Sequence, residues 1–107
     1  MVVDNQNDSI VYFTQNSNSN VNVTVNFINM DSVSTGNVTS FVVILTNNAN
    51  FQAYVGNVRI NGATGNTVRW QGGVPTSGEA NLDVYSFSVI KTAASAYTVL
   101  AAKNNFD

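Results

Sequence analysis

Few side chains in this chain of 107 residues could carry out acid–base chemistry. Six carboxylates are present, and the closest pair in the middle of the chain is Glu79 and Asp83, in or beside a loop that contains glycines and the only proline. Glycoside hydrolysis needs two carboxylates at a defined separation, so this pair is the candidate for that reaction. Carboxylates in such a loop also serve simply to solvate it, and this is the interpretation that we favour.

Histidine and cysteine are absent from the sequence. Without them the chain can build neither an ordinary Ser-His-Asp triad nor a thiolate nucleophile. Thiolate and imidazole metal sites and disulfides are excluded for the same reason. We therefore predict that the protein is not an enzyme and that it uses no cofactor.

Oxygen ligands cluster near the N-terminus, where Asp4, Asn5, Asn7 and Asp8 lie within five positions. This spacing is superficially that of a calcium-binding loop, but the glycine at the sixth position and the acidic residue at the twelfth are missing. We predict no metal site here. Residues 1–20 are interpreted instead as a solvated, extended N-terminal arm of a single domain that spans 1–107.

Trp70 is the only tryptophan of the chain. An exposed tryptophan stacks on sugar rings or anchors a protein interface. Alternatively, Trp70 belongs to the core, because Val68 and Trp70 alternate in phase along a predicted strand. The candidate contacts for a partner or a glycan are Trp70 with its neighbours and one further arginine: Trp70, Gln71, Gly72, Gly73, Pro75, Arg59 and Arg69.

Charge is scarce, since only 9% of the residues are charged and about one in six is asparagine. Four basic residues without a cluster are too few to follow a phosphate backbone, so we expect no nucleic-acid partner. The longest apolar run, Phe41 to Leu45, is far shorter than the roughly 20 residues of a membrane-spanning helix. The N-terminus also lacks the pattern of a secretory signal, so we expect no membrane partner.

Alternating apolar residues predict β-strands that expose one face to water, most clearly at Val21, Val23, Val25 and Phe27. Phe41 to Leu45 is continuously apolar, which predicts a central strand covered on both sides. Asn61-Gly62 predicts a hairpin between two flanking strands, and a second hairpin is predicted near the C-terminus. The strands expected are Ile10–Thr14, Val21–Phe27, Phe41–Leu45, Ala53–Ile60, Thr67–Gln71, Val84–Ile90 and Tyr97–Ala101.

This pattern predicts an all-β fold, a small antiparallel β-sandwich or jelly-roll-like domain of about seven strands. A helix over the alanine-rich stretch 92–103 is the alternative for the last hairpin, although the stretch has neither a cap nor a helical period. The few charges on the predicted strand edges also favour association with further chains.

A resemblance to a known family is carried by six pieces of the sequence from about Val38 onward: Phe41 to Thr46, Val58 to Gly62, Val68 to Thr76 (VRWQGGVPT), Asp83 to Ile90, Tyr97 to Leu100 and Phe106. In these pieces the sequence resembles a β-rich domain of virion surface and appendage proteins of tailed phages, of the cyanophage and marine phage type. Two places depart from that pattern: Ala94 to Ala96, where the family tends to have a glycine-containing turn, and Ala101, where a glycine often follows Val-Leu.

The resemblance implies a structural protein of the virion and a homotrimer. Because no fibrous stalk or repeat is visible, we expect a capsid decoration (cement) protein whose main partner is the major capsid protein. Its contacts are expected in the N-terminal arm and at polar strand edges. The alternatives are a receptor-binding or glycan-binding module of a fibre or tail, with contacts around Trp70, and a carbohydrate-binding or adhesin domain of cellular origin.

Overall fold

The computed structural model describes residues 1–14, 21–48, 52–79 and 81–106. These residues form two β-sheets and one short 3-10 helix at Met30–Ser32, so the predicted all-β fold is confirmed. Seven of the strands match predicted ones, and the three-residue β1 is the addition. The strands are β1 (Val2–Asp4), β2 (Ile10–Thr14), β3 (Val21–Ile28), β4 (Val38–Asn47), β5 (Ala53–Ile60), β6 (Thr67–Trp70), β7 (Asn81–Ala93) and β8 (Ala96–Phe106).

The smaller sheet has the strand order β1-β3-β5, and the larger sheet has the order β2-β4-β7-β8-β6. Only the pairs β4–β7 and β7–β8 are antiparallel. The pairs β1–β3, β2–β4, β3–β5 and β6–β8 are parallel, so the prediction of an antiparallel domain is wrong. Strands β1 to β6 alternate between the two sheets, so the neighbours β1–β3, β2–β4 and β3–β5 are each separated in the chain by one strand of the other sheet, and the chain reverses twice between them. In the pair β6–β8 the intervening strand is β7, which belongs to the same sheet.

The two predicted hairpins have different outcomes. β7 and β8 pair with each other, which confirms the second hairpin and rules out the helix over 92–103. β5 and β6 lie in different sheets, so the first hairpin is wrong. The turn at Asn61 and Gly62 does form, with positive φ at both residues, but it leads the chain across to the larger sheet.

The core lies between the sheets and is built from the alternating residues of both. Phe27 of β3 contacts Phe41 of β4 and Phe87 of β7, with ring centroids 4.7 and 5.2 Å apart. The alternation predicted for β3 is confirmed, because Val23, Val25 and Phe27 are buried. Burying large apolar side chains of this kind stabilises the fold by about 1.5–3 kcal/mol each.

β4 is a central strand as predicted, but it is covered on one side only. Phe41, Val43 and Leu45 are buried against the smaller sheet, while Val42 and Ile44 between them point outward and are half-buried. In the part of the chain that the structure describes, no further layer lies over the outer side of this sheet.

Within residues 1–14, β1 and β2 are strands of the two sheets, which corrects the interpretation of this segment as a free arm. Val3 is fully buried, and β1 and β2 each extend a sheet by a parallel pairing. Residues 15–20 of the expected arm lie outside the described residues. The aspartates and asparagines between β1 and β2 stabilise a turn, since Asp4 accepts hydrogen bonds from Asn29 at 2.8 Å and from the Gln6 amide at 2.9 Å. These bonds lower the pKa of the Asp4 carboxyl.

Val3→Ala should lower the free energy of unfolding by about 2 kcal/mol, because it removes two buried methyl groups and leaves a cavity. Val2→Ala is the matched control. Val2 is 56% exposed, so its truncation should change stability by less than about 0.5 kcal/mol. Chemical denaturation of both variants measures the difference, and equal small effects would show that β1 does not hold the core.

Candidate functional site

The acid pair singled out in the sequence is a structural anchor. Asp83 is fully buried, and its carboxylate accepts hydrogen bonds from the Glu79 amide (2.9 Å), from Asn105 (2.9 Å) and from Asn47 (3.3 Å). Glu79 is exposed and forms a salt bridge with Lys103 at 3.2 Å. The expectation that both acids solvate the loop therefore holds for Glu79 and is wrong for Asp83, which fixes the loop before β7 through one carboxylate oxygen and binds Asn105 of β8 through the other.

Asn47 completes this anchor between the two sheets. Its amide nitrogen donates to the carbonyl oxygens of Ala53 and Glu79, both at 3.1 Å, and its amide oxygen accepts from the Ala53 amide at 2.8 Å. A buried side chain that is satisfied in this way fixes the start of β5 against the end of β4. No signal in the sequence separates Asn47 from the other asparagines.

In the described ranges, no group of three His, Cys, Asp or Glu side chains could hold a metal ion. Among the same residues, no helix is long and apolar enough to cross a membrane.

The outer side of the five-stranded sheet, which we call the outer face, exposes large apolar side chains to solvent. Of the eight large apolar side chains exposed among the described residues, six point to this face, so they form one surface. They are Ile10, Tyr12, Val38, Leu82, Leu100 and Phe106. Half-buried aliphatic residues fill the spaces between them: Val42, Ile44, Val84, Ile90 and Ala102.

The strand register aligns these residues in rows across the sheet. One row runs Tyr12, Ile44, Val84 and Asn104, and its neighbour runs Ile10, Val42, Ser86 and Ala102. The hydroxyl group of Thr46 donates to that of Tyr12 at 2.6 Å, so these polar groups pair within the face. Arg69 of β6, opposite Leu100 at one margin, is the only charged residue on the outer face in the ranges described.

The outer side of the smaller sheet carries polar side chains on its central strand, β3. Asn22, Thr24 and Asn26 of β3 point outward there, and two of their amide oxygens accept from backbone amides of Gly56 and Gly62 at 2.9 Å. The molecule thus has one apolar side and one polar side.

Trp70 lies in a second feature, a groove of about 330 Å³ between β5 and β6. Its ring is half-buried and meets the rings of Tyr85 and Phe87 edge-on, at centroid distances of 6.2 and 5.9 Å. The predicted place of Trp70 in the core is thus partly confirmed, while its role as a contact for a partner or a glycan stays a prediction. The groove is lined by Gly56, Asn57, Val58, Arg59, Thr64, Val68, Trp70 and Val74.

The structure separates the other candidate contacts. Arg59 lines the groove together with Trp70, whereas Arg69 points to the opposite side of β6. Gln71, Gly72, Gly73 and Pro75 follow β6 and do not line the groove. Gly72 and Gly73 have φ of 80° and 93°, so this turn needs residues without a side chain.

Tyr85 supports the groove from inside the core. Its hydroxyl group accepts a hydrogen bond from the Val55 amide at 3.2 Å, which ties β7 to β5. Burial raises the pKa of Tyr85 to about 12, and the nearby carboxylates of Asp83 and Glu79 add to the increase.

No family model matches the chain, and a search of curated proteins and of solved structures finds no significant similarity. The resemblance to phage virion domains therefore depends on the residues quoted above alone.

Stability should decline as the pH rises from about 10 to about 12. The unfolded chain releases the Tyr85 proton near its ordinary pKa of 10.0, while the folded protein retains it to about 12. Above pH 10 the unfolded state therefore binds fewer protons, and the loss approaches about 3 kcal/mol over the two units. Denaturation of the wild type and of Tyr85→Phe across this range measures the effect. A slope that is the same in both proteins would contradict the assignment to Tyr85.

Proposed function

We propose that the protein is a non-enzymatic structural protein of a tailed-phage virion, a decoration protein that binds the assembled capsid shell as a homotrimer. Its main partner is the major capsid protein, and its location is the capsid surface. Binding to the assembled shell adds contact free energy that opposes opening of the shell.

The observation that carries this proposal is the outer face. A sheet face that exposes six large apolar side chains among uncharged polar ones, with one marginal charge in the described ranges, is unusual on a soluble monomer and marks an interaction site. A flat sheet face suits a broad, immobile partner better than a small ligand, which binds in a concave site.

The size of the outer face is adequate for such an interface. At about 3.3 Å per residue and about 4.8 Å between strands, the five strands present roughly 650 Å². A stable protein interface buries about 800 Å² of each partner, so the outer face can supply most of the area that this protein would contribute. The partner surface is expected to be flat, apolar and poor in charge, because the outer face offers only Arg69 for an ion pair.

The polar outer side of the smaller sheet complements this arrangement. A decoration protein has one side on the shell and one side in water. The difference in polarity between the outer sides of the two sheets supports an orientation with the outer face on the shell and the smaller sheet toward water. With the outer face on the shell, the subunit contacts of the trimer fall to the edge strands β1, β2, β5 and β6. Edge strands carry unpaired backbone groups that a neighbouring subunit can cover.

We also propose that the two sheets constitute a β-sandwich. The shared core, with side chains from β3, β4 and β7 in contact, supports this fold. The four parallel pairings depart from an antiparallel jelly roll, so only the sandwich is retained.

Ser86→Lys tests the docking surface. Ser86 is exposed at the centre of the outer face, so lysine there leaves the core intact but has to be desolvated on binding. We expect the Kd for purified shells to increase at least about tenfold, which corresponds to about 1.4 kcal/mol. Co-sedimentation of protein with shells measures the change.

Thr24→Lys is the control, because it places the same charge on the outward side of β3 in the smaller sheet. It should bind shells like the wild type. If the two variants bound equally well, the outer face would not be the docking surface. If the wild type bound no shells at all, the decoration function itself would be wrong.

A further inference from the structure

The groove beside Trp70 exists because the smaller sheet ends at β5 while the larger sheet continues to β6. The inward residues of β8, Tyr97, Val99 and Ala101, are buried. The inward residues of β6, Val68 and Trp70, remain half-buried. An aromatic ring and an aliphatic side chain are therefore accessible from the side of β5.

The aromatic floor of the groove is held firmly. Trp70 is braced edge-on by Tyr85 and Phe87, and β6 is paired along its whole length with β8. The Gln71 amide adds a hydrogen bond to the Ala101 carbonyl at 2.8 Å, just beyond the strand. A ring fixed in this way loses little conformational freedom when a ligand packs on it, which favours binding.

Among the described residues that line the groove, Arg59 is the one that carries a charge. Arg59 is exposed, and no salt bridge among the described residues involves it. None of the residues that line the groove is acidic, while Asn57 and Thr64 add an amide and a hydroxyl group. A guanidinium group in this setting favours a carboxylate, which it can bind through two parallel hydrogen bonds.

We propose that this groove binds one carboxylate-bearing sugar ring, a uronic or sialic acid residue of a polysaccharide. The sugar ring packs on Trp70 and Val68, its carboxylate pairs with Arg59, and its hydroxyl groups bind Asn57 and Thr64. The volume of about 330 Å³ is at the small end of ligand sites, which suits a single ring. Trp70 and Arg69 point to opposite sides of β6, so the groove stays open when the outer face is docked.

The test uses the fluorescence of Trp70, which is the only tryptophan and reports directly on the groove. The intact protein is titrated with short oligomers of galacturonate, glucuronate and mannuronate and with N-acetylneuraminic acid. Cellotetraose, sodium acetate and a tetraglutamate peptide are the comparison ligands. We expect a saturable change in emission with at least one of the acidic sugars and a response at least about tenfold weaker with the comparison ligands.

Arg59→Ala should weaken the binding of the acidic sugar at least tenfold, whereas Arg69→Ala should leave it unchanged. Each variant removes one arginine: Arg59→Ala removes it from the groove, and Arg69→Ala removes it from the opposite side of β6. The comparison therefore distinguishes a specific contact of Arg59 from general electrostatic attraction of the acidic sugar to the protein. Truncation of the exposed Arg59 preserves the core, and thermal unfolding checks the fold of each variant. The proposal is overturned if none of the acidic sugars binds, if a comparison ligand binds as well, or if both variants lose equal affinity.

Discussion

The five-stranded sheet has apolar side chains on both of its sides, and the smaller sheet covers only one of them. In β4 this means that Phe41 and Val43 are buried while Val42 and Ile44 point away from the core. Packing of Phe27 against Phe41 and Phe87 fixes which side faces inward. Because adjacent residues of a strand point to opposite sides, the same choice fixes which side chains form the outer face.

The alternation of strands between the sheets has further consequences. It produces the parallel pairings among β1 to β5, and it brings β1 and β2 into separate sheets. The smaller sheet ends at β5 because β6, β7 and β8 all join the larger sheet. Asn47 links the two sheets where the chain crosses from β4 to β5, through its bond to Ala53, and Asp83 fixes the loop before β7 through its bond to the Glu79 amide. The Trp70 groove thus results from the mismatch between three strands in one sheet and five in the other, whereas the outer face is the side of the larger sheet that the smaller sheet does not cover.

The sequence predicts the local structure of this protein well and its long-range pairing poorly. Alternation in Val21 to Phe27 located a strand and its buried side, and Asn61-Gly62 located a turn. A turn signal does not determine whether the next strand joins the same sheet, and this is why the first hairpin was wrong. A continuous apolar run such as Phe41 to Leu45 equally predicts cover on both sides. Whether a second layer exists depends on the rest of the chain.

The sequence likewise predicts only part of the candidate site. Arg59 and Trp70 were singled out from their residue types and do line one groove, whereas Arg69 points to the other side of β6. The outer face could not be assembled from the sequence, because its rows join residues as distant as Tyr12, Val84 and Asn104. The most direct test of its role is carbene footprinting of the protein, free and bound to shells. Labelling of Tyr12, Leu100 and Phe106 should fall on binding while that of Tyr54 is retained; unchanged labelling of the outer face on bound protein would contradict the account.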